Sequence, residues 1–177
     1  MAALNSVNTL FFRIVFLLTI SFFCFKDINV ILENSYFQTF TDAMNLPSLT
    51  LSKYNAQLGL FGVLFAYLAL LDFIPLLENN TMYFYSIVPV RMLLFFVFTT
   101  LSYMWESNLY LHNNSVFVYS FSEVWINFII YSALREEKNN EVNQRSKFIN
   151  EEFLTEDEPF ESKKEHSEVL PVEEHSD

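Results

Sequence analysis

The sequence predicts an all-helical membrane protein: four transmembrane helices, an amphipathic helix between spans one and two, and a disordered acidic C-terminal tail. Three observations lead there. Apolar types make up 52% of the 177 residues, and 21 Phe and 9 Tyr stand against only 2 Gly. A soluble domain of this size leaves much of its surface in water and has no interior large enough for so many aromatic rings. Four apolar stretches approach the roughly 20 residues that cross a bilayer. Charge is also segregated: residues 1–134 carry 4 Lys/Arg and 7 Asp/Glu, residues 135–177 carry 6 and 14. The division is a membrane domain over 1–134 and a cytosolic tail over 135–177, helical at its start and disordered beyond Phe153, where charged residues and prolines crowd out apolar ones.

The first span covers about 10–25 and is interrupted only by Arg13. No small-x-small site precedes Lys26, so the stretch reads as a retained anchor rather than a cleaved signal peptide. Residues 28–44 follow, with Ile28, Ile31, Leu32, Tyr36, Phe40, Ala43 and Met44 at helical spacing and Pro47 ending the pattern. This amphipathic segment lies on the lumenal membrane surface or folds against the bundle. The second span covers about 54–77, the third 87–105 and the fourth 116–134. Counted between Arg91 and Glu106, the third is short for the roughly 30 Å hydrocarbon core, which favours a thin bilayer such as the endoplasmic reticulum. Arg135, Lys138, Arg145 and Lys147 after span four, and Arg91 between spans two and three, place both termini in the cytosol.

Two kinds of helix face stand out. Gly59, Gly62, Ala66 and Ala69 form a small-residue stripe on span two, suited to close helix packing or a partner interface. Arg91, Thr99, Ser102 and Glu106 share a face of span three; Ser120, Glu123, Asn127 and Tyr131 share one on span four. Polar stripes on apolar helices point inward because lipid offers no hydrogen bonds. The intramembrane polar candidates are thus Asp72, Arg91, Glu106, Glu123 and Asn127. Asp72 can neutralise Arg13 or Arg91 at the cytosolic end. Glu123 falls toward the lumenal side and has no partner evident in the sequence, which makes it a functional candidate.

Several classes are excluded or left without support. A single cysteine, Cys24, rules out a disulfide within the chain. Two glycines cannot build a phosphate-cradling loop. A chain of net charge −11 without a basic stripe is repelled by nucleic acid. His112 is the only histidine outside the tail, so no multi-histidine metal centre and no cofactor is expected. Sequons at Asn79 and Asn113 fall in loops on opposite sides of the membrane, so at most one is modified, and Thr155-Glu-Asp-Glu158 has the form of an acidophilic kinase site.

A set of blocks carries a resemblance: Ala2-Ala-Leu-Asn-Ser6, Met44-Asn-Leu-Pro47, Gln57-Leu-Gly-Leu-Phe61, Ile74-Pro-Leu-Leu-Glu-Asn79, Val88-Pro-Val-Arg91, Trp105-Glu-Ser-Asn108, His112-Asn-Asn-Ser-Val-Phe117 and Glu123-Val-Trp-Ile-Asn-Phe128. Over about residues 1–138 the chain resembles the fungal family named for increased loss of mitochondrial DNA. The resemblance implies a multi-spanning endoplasmic reticulum protein whose loss impairs mitochondrial genome maintenance, and it supplies no catalytic or ligand residues. An acidic membrane protein would act on mitochondrial DNA indirectly. Two roles are therefore expected: a non-enzymatic accessory subunit or adaptor binding other membrane proteins of the reticulum, or a small channel, carrier or lipid-handling protein. The second role would use a pathway lined by Arg91, Glu106, Glu123 and Asn127 and would call for a homo-oligomer.

Overall fold

The computed structural model describes residues 5–49, 51–52, 56–108 and 110–156, with side chains described as far as Ile149. Six helices follow one another: α1 (Ser6–Lys26), α2 (Asn29–Leu32), α3 (Ser35–Ala43), α4 (Gln57–Leu77), α5 (Thr81–Met104) and α6 (Asn114–Glu156). Among the described residues there is no strand. Four of the helices, α1, α4, α5 and residues 114–149 of α6, are long and apolar enough to cross a membrane. Helix α6 continues to Glu156, three residues past the Phe153 beyond which disorder is expected; Lys53 and the rest of that stretch from 157, with the end of the kinase-like motif, lie outside the described residues.

Helix boundaries follow local chemistry. Asn5 caps α1 by accepting from the Val7 N–H, and Asn80 caps α5 by accepting from Tyr83. Between spans one and two the single amphipathic helix expected over 28–44 is broken at Glu33–Asn34. Asn34 accepts from the Tyr36 N–H and starts α3 afresh, so a capping residue inside an apolar pattern divides it. Helix α3 ends on Asn45 at φ 52°, with the Leu46 N–H bonded to the Thr41 carbonyl and Asn45 to Asp42, which is a Schellman motif. The same motif closes α4: Asn79 sits at φ 51°, Asn80 donates to the Pro75 carbonyl and Asn79 to Leu76.

The third span differs most from the sequence reading. Helix α5 runs 24 residues from Thr81, about 36 Å of helix, and so has the length for an ordinary hydrocarbon core. Pro89 lies inside it without ending it, and the helix stops at Met104, two residues short of Glu106.

Helix α1 packs along α4. One core cluster joins Leu10 of α1 to Phe84 and Val88 of α5 and to Ile126, Ile130 and Leu134 of α6. A second joins Ile14 and Leu17 of α1 to Ala69 of α4. Polar ties reinforce this packing: the Ser6 N–H donates to Glu137, and the Tyr85 hydroxyl to the Leu134 carbonyl. The contacts divide the chain after Lys138. In the second unit, residues 139–149 form an exposed polar helical stretch.

Candidate functional site

Each spanning helix contributes one charge to a single buried network. Arg13 of α1 is only 2% exposed, and Asp72 and Glu123 are buried at 1% and 0%. The Arg13 Nε and Nη2 groups donate to the two oxygens of Glu123 at 2.9 and 3.0 Å. Its Nη1 group forms an ion pair with Asp72 of α4. Asp72 also accepts from Arg91 of α5, at 2.9 and 2.8 Å through Nη1 and Nη2. The order is therefore Arg91, Asp72, Arg13, Glu123: two cations and two carboxylates with no net charge.

Two neighbours on α6 complete the carboxylate shell. The Tyr119 hydroxyl donates to Glu123 at 3.2 Å. Asn127, one turn along, donates through Nδ2 to the Glu123 carbonyl at 2.7 Å and to its carboxylate at 2.8 Å. Glu123 thus accepts two bonds on each carboxylate oxygen, the arrangement that holds an ionised carboxylate in a dry interior. Asn127 Oδ1 is a buried side-chain acceptor with no partner among the described residues. The network can hold four helices in one register. It offers no idle nucleophile, and no three His, Cys, Asp or Glu residues among those described converge on a metal position.

The profile of the family described as "Increased loss of mitochondrial DNA protein 1" matches residues 5–144. The chain belongs to that family. Within it, "Protein ILM1" of Saccharomyces cerevisiae is 57% identical over 171 residues, 96% of this chain and 84% of the relative. "Protein ilm1" of Schizosaccharomyces pombe is 26% identical over 106 residues, 59% of this chain and 65% of the relative. No solved structure matches. Every member of the charge network lies inside the region that the family profile covers.

The expected pairing of Asp72 with Arg13 or Arg91 is met by both arginines at once in this ILM1-family chain. The expectation that Glu123 lacks a partner is corrected: Arg13 grips it with two hydrogen bonds. Arg13 and Glu123 start at different depths along their helices, but an arginine carries its guanidinium far from its own Cα. Glu106 is also corrected. It is exposed in the turn after α5 and shares no face with Arg91. The four residues expected to line a pathway are thus divided, with Glu123 and Asn127 sealed inside. An apolar groove of about 480 Å³ between α5 and α6 is walled instead by Met92, Leu93, Phe96, Val124, Trp125 and Phe128.

The small-residue stripe is used within the chain over part of its length. Gly62 and Ala69 are buried, Ala66 is half-buried, and the Ser21 hydroxyl donates to the Gly62 carbonyl at 2.7 Å. A Cβ on Gly62 would meet the Phe25 ring at 2.9 Å, while one on Gly59 would meet nothing within 4 Å. Both sequon asparagines have structural work. Asn79 supplies the left-handed residue after α4. Asn113 is 6% exposed, donates to the Tyr110 carbonyl and accepts from the Val116 N–H.

Proposed function

We propose that this ILM1-family chain is a non-enzymatic, multi-pass protein of the endoplasmic reticulum membrane that serves as an accessory subunit or adaptor of other membrane proteins. Its connection with mitochondrial DNA is then indirect, through lipid supply, membrane contact or the folding of its partners. The observation that carries this reading is the closed charge network. The three buried charges and the partly exposed Arg91 are spent on one another, so the polar groups inside the membrane fasten helices rather than face a substrate. The outer faces of α4 and α5, from Leu60 to Leu77 and from Val90 to Met104, are rich in exposed apolar side chains and give other membrane helices room to pack.

The test is purification of the tagged full chain from membranes in a mild detergent, with mass spectrometry of co-purifying proteins and lipids. The expected result is a stoichiometric membrane-protein partner whose recovery does not change with nuclease treatment. A lone chain carrying a tightly held lipid would move the reading to a carrier, and recovery of mitochondrial DNA at physiological salt would end the indirect reading.

A further inference from the structure

We propose that α3 is an interfacial anchor whose Tyr36 and Phe40 insert into the headgroup boundary of a lipid surface rich in uncharged headgroups. The proposal rests on the membrane-spanning reading of the bundle and not on the identity of any partner. The apolar arc of α3 is wider than the protein that covers it. Phe37 and Met44 are half-buried, and Thr41, at the middle of the protein-facing side, is 2% exposed. Phe40 and Tyr36 lie further round the same arc and are 40% and 87% exposed. Ser35, Gln38, Thr39 and Asp42 occupy the opposite side.

Two observations say what covers the uncovered part. First, the chain just after α3 is tied to the first residue of α6, at the end of that spanning helix. The Asn114 N–H donates to the Pro47 carbonyl at 3.1 Å, and the Leu49 N–H donates to Asn114 Oδ1 at 2.9 Å. Second, Phe40 heads an aromatic row on a spanning helix. Its ring lies 6.4 Å from Phe117 and 6.2 Å from Phe121, and the row proceeds through Trp125 to Phe128, both about half exposed. Phe40 and the half-buried Phe121 cover Phe117, which is buried, and the row opens outward at Trp125 and Phe128; tyrosine sits at the other end of the row, as at a wet boundary where its hydroxyl meets headgroups.

Charge decides the lipid class. Interfacial helices that seek anionic lipid carry Lys and Arg on the polar face. Between Lys26 and Lys53 this chain has none, and it has Asp27, Glu33 and Asp42. Insertion of aromatic side chains, not electrostatic attraction, must hold the segment down.

The full chain with Cys24→Ser would carry a spin label at Tyr36→Cys, Thr39→Cys or Phe40→Cys, reconstituted in phosphatidylcholine vesicles. Collision with oxygen and with a water-soluble nickel chelate is then compared. Labels at 36 and 40 are expected to meet oxygen freely and nickel several-fold less than the label at 39. Equal nickel access at 36 and 39 would place the face in water and overturn the proposal. So would protection from both probes, which would mean that protein covers it. Adding phosphatidylserine is expected to leave the pattern unchanged, and deeper burial with phosphatidylserine would overturn the choice of lipid. Should labelling disturb the fold, Tyr36→Trp with Trp105→Phe and Trp125→Phe gives a second reading. Its fluorescence is expected to be quenched by lipids brominated near the headgroup, and unquenched emission counts against insertion.

Discussion

Arg13 does the work of two cations, since it neutralises Glu123 and shares Asp72 with Arg91. Removing one member of a buried ion pair strands the other and costs about 3–5 kcal/mol, whereas removing both costs much less. Glu123→Leu is therefore expected to destabilise the chain severely. The double variant Arg13→Leu with Glu123→Leu leaves Arg91 and Asp72 as a neutral pair and should fall short of the summed single losses by about 1–3 kcal/mol. Thermal unfolding of the four proteins of this cycle in detergent checks the coupling, and additive losses would mean that the two side chains do not share a bond. A smaller effect belongs to Asn79, whose left-handed backbone strains a residue with an ordinary Cβ by about 1–2 kcal/mol. Asn79→Ala is expected to lower the melting temperature and Asn79→Gly to preserve it. Equal melting temperatures for the two would show that the turn is not strained.

At the level of elements, α1 and α4 approach closely because of one glycine and not the other. Leucine at Gly62 would drive into the Phe25 ring and press on the Ser21 bond, while leucine at Gly59 meets open space. Gly62→Leu should lower the yield of folded protein and Gly59→Leu should not, as gel filtration in detergent would show. A Gly59→Leu protein that folds yet loses a co-purifying partner would mark that end of α4 as an interface. The number and order of the spans were legible in the apolar runs, since their length is imposed by the bilayer. The ends of α5 were not. The apolar run starts at about 87 and its uncharged length is counted from Arg91, but Asn80 provides the cap that begins the helix earlier, and a membrane helix tolerates the internal Pro89 when neighbours satisfy the backbone. The break at Asn34 was readable only as a capping residue, and an unbroken apolar period concealed it.

For the whole molecule, four crossings return the chain to its starting side. A tag before Ser6 and a tag after Glu156 are expected to be cleaved together, or protected together, when sealed membrane vesicles are treated with protease. Cleavage of one alone would remove a span. The membrane character of the molecule was plain from composition. The charge network was half legible: the residue types were visible, but pairing across four helices depends on side-chain reach and helix rotation, which no spacing along the chain encodes. Glu106 illustrates the converse, a residue in phase with a polar stripe that lies beyond the helix carrying it.

The separation of the paired charges along the chain has a consequence for synthesis. Arg13 precedes both of its counter-ions in the chain, with Asp72 59 residues downstream and Glu123 110. When α1 emerges, neither counter-ion exists. Its guanidinium must wait at a wet boundary or within the insertion machinery until α4 is delivered, and it is fully matched only after α6 follows. A helix made before its partners is thus among the last to be electrically settled. A chain that stops before Glu123 presents an unmatched cation to whatever inspects newly made membrane proteins.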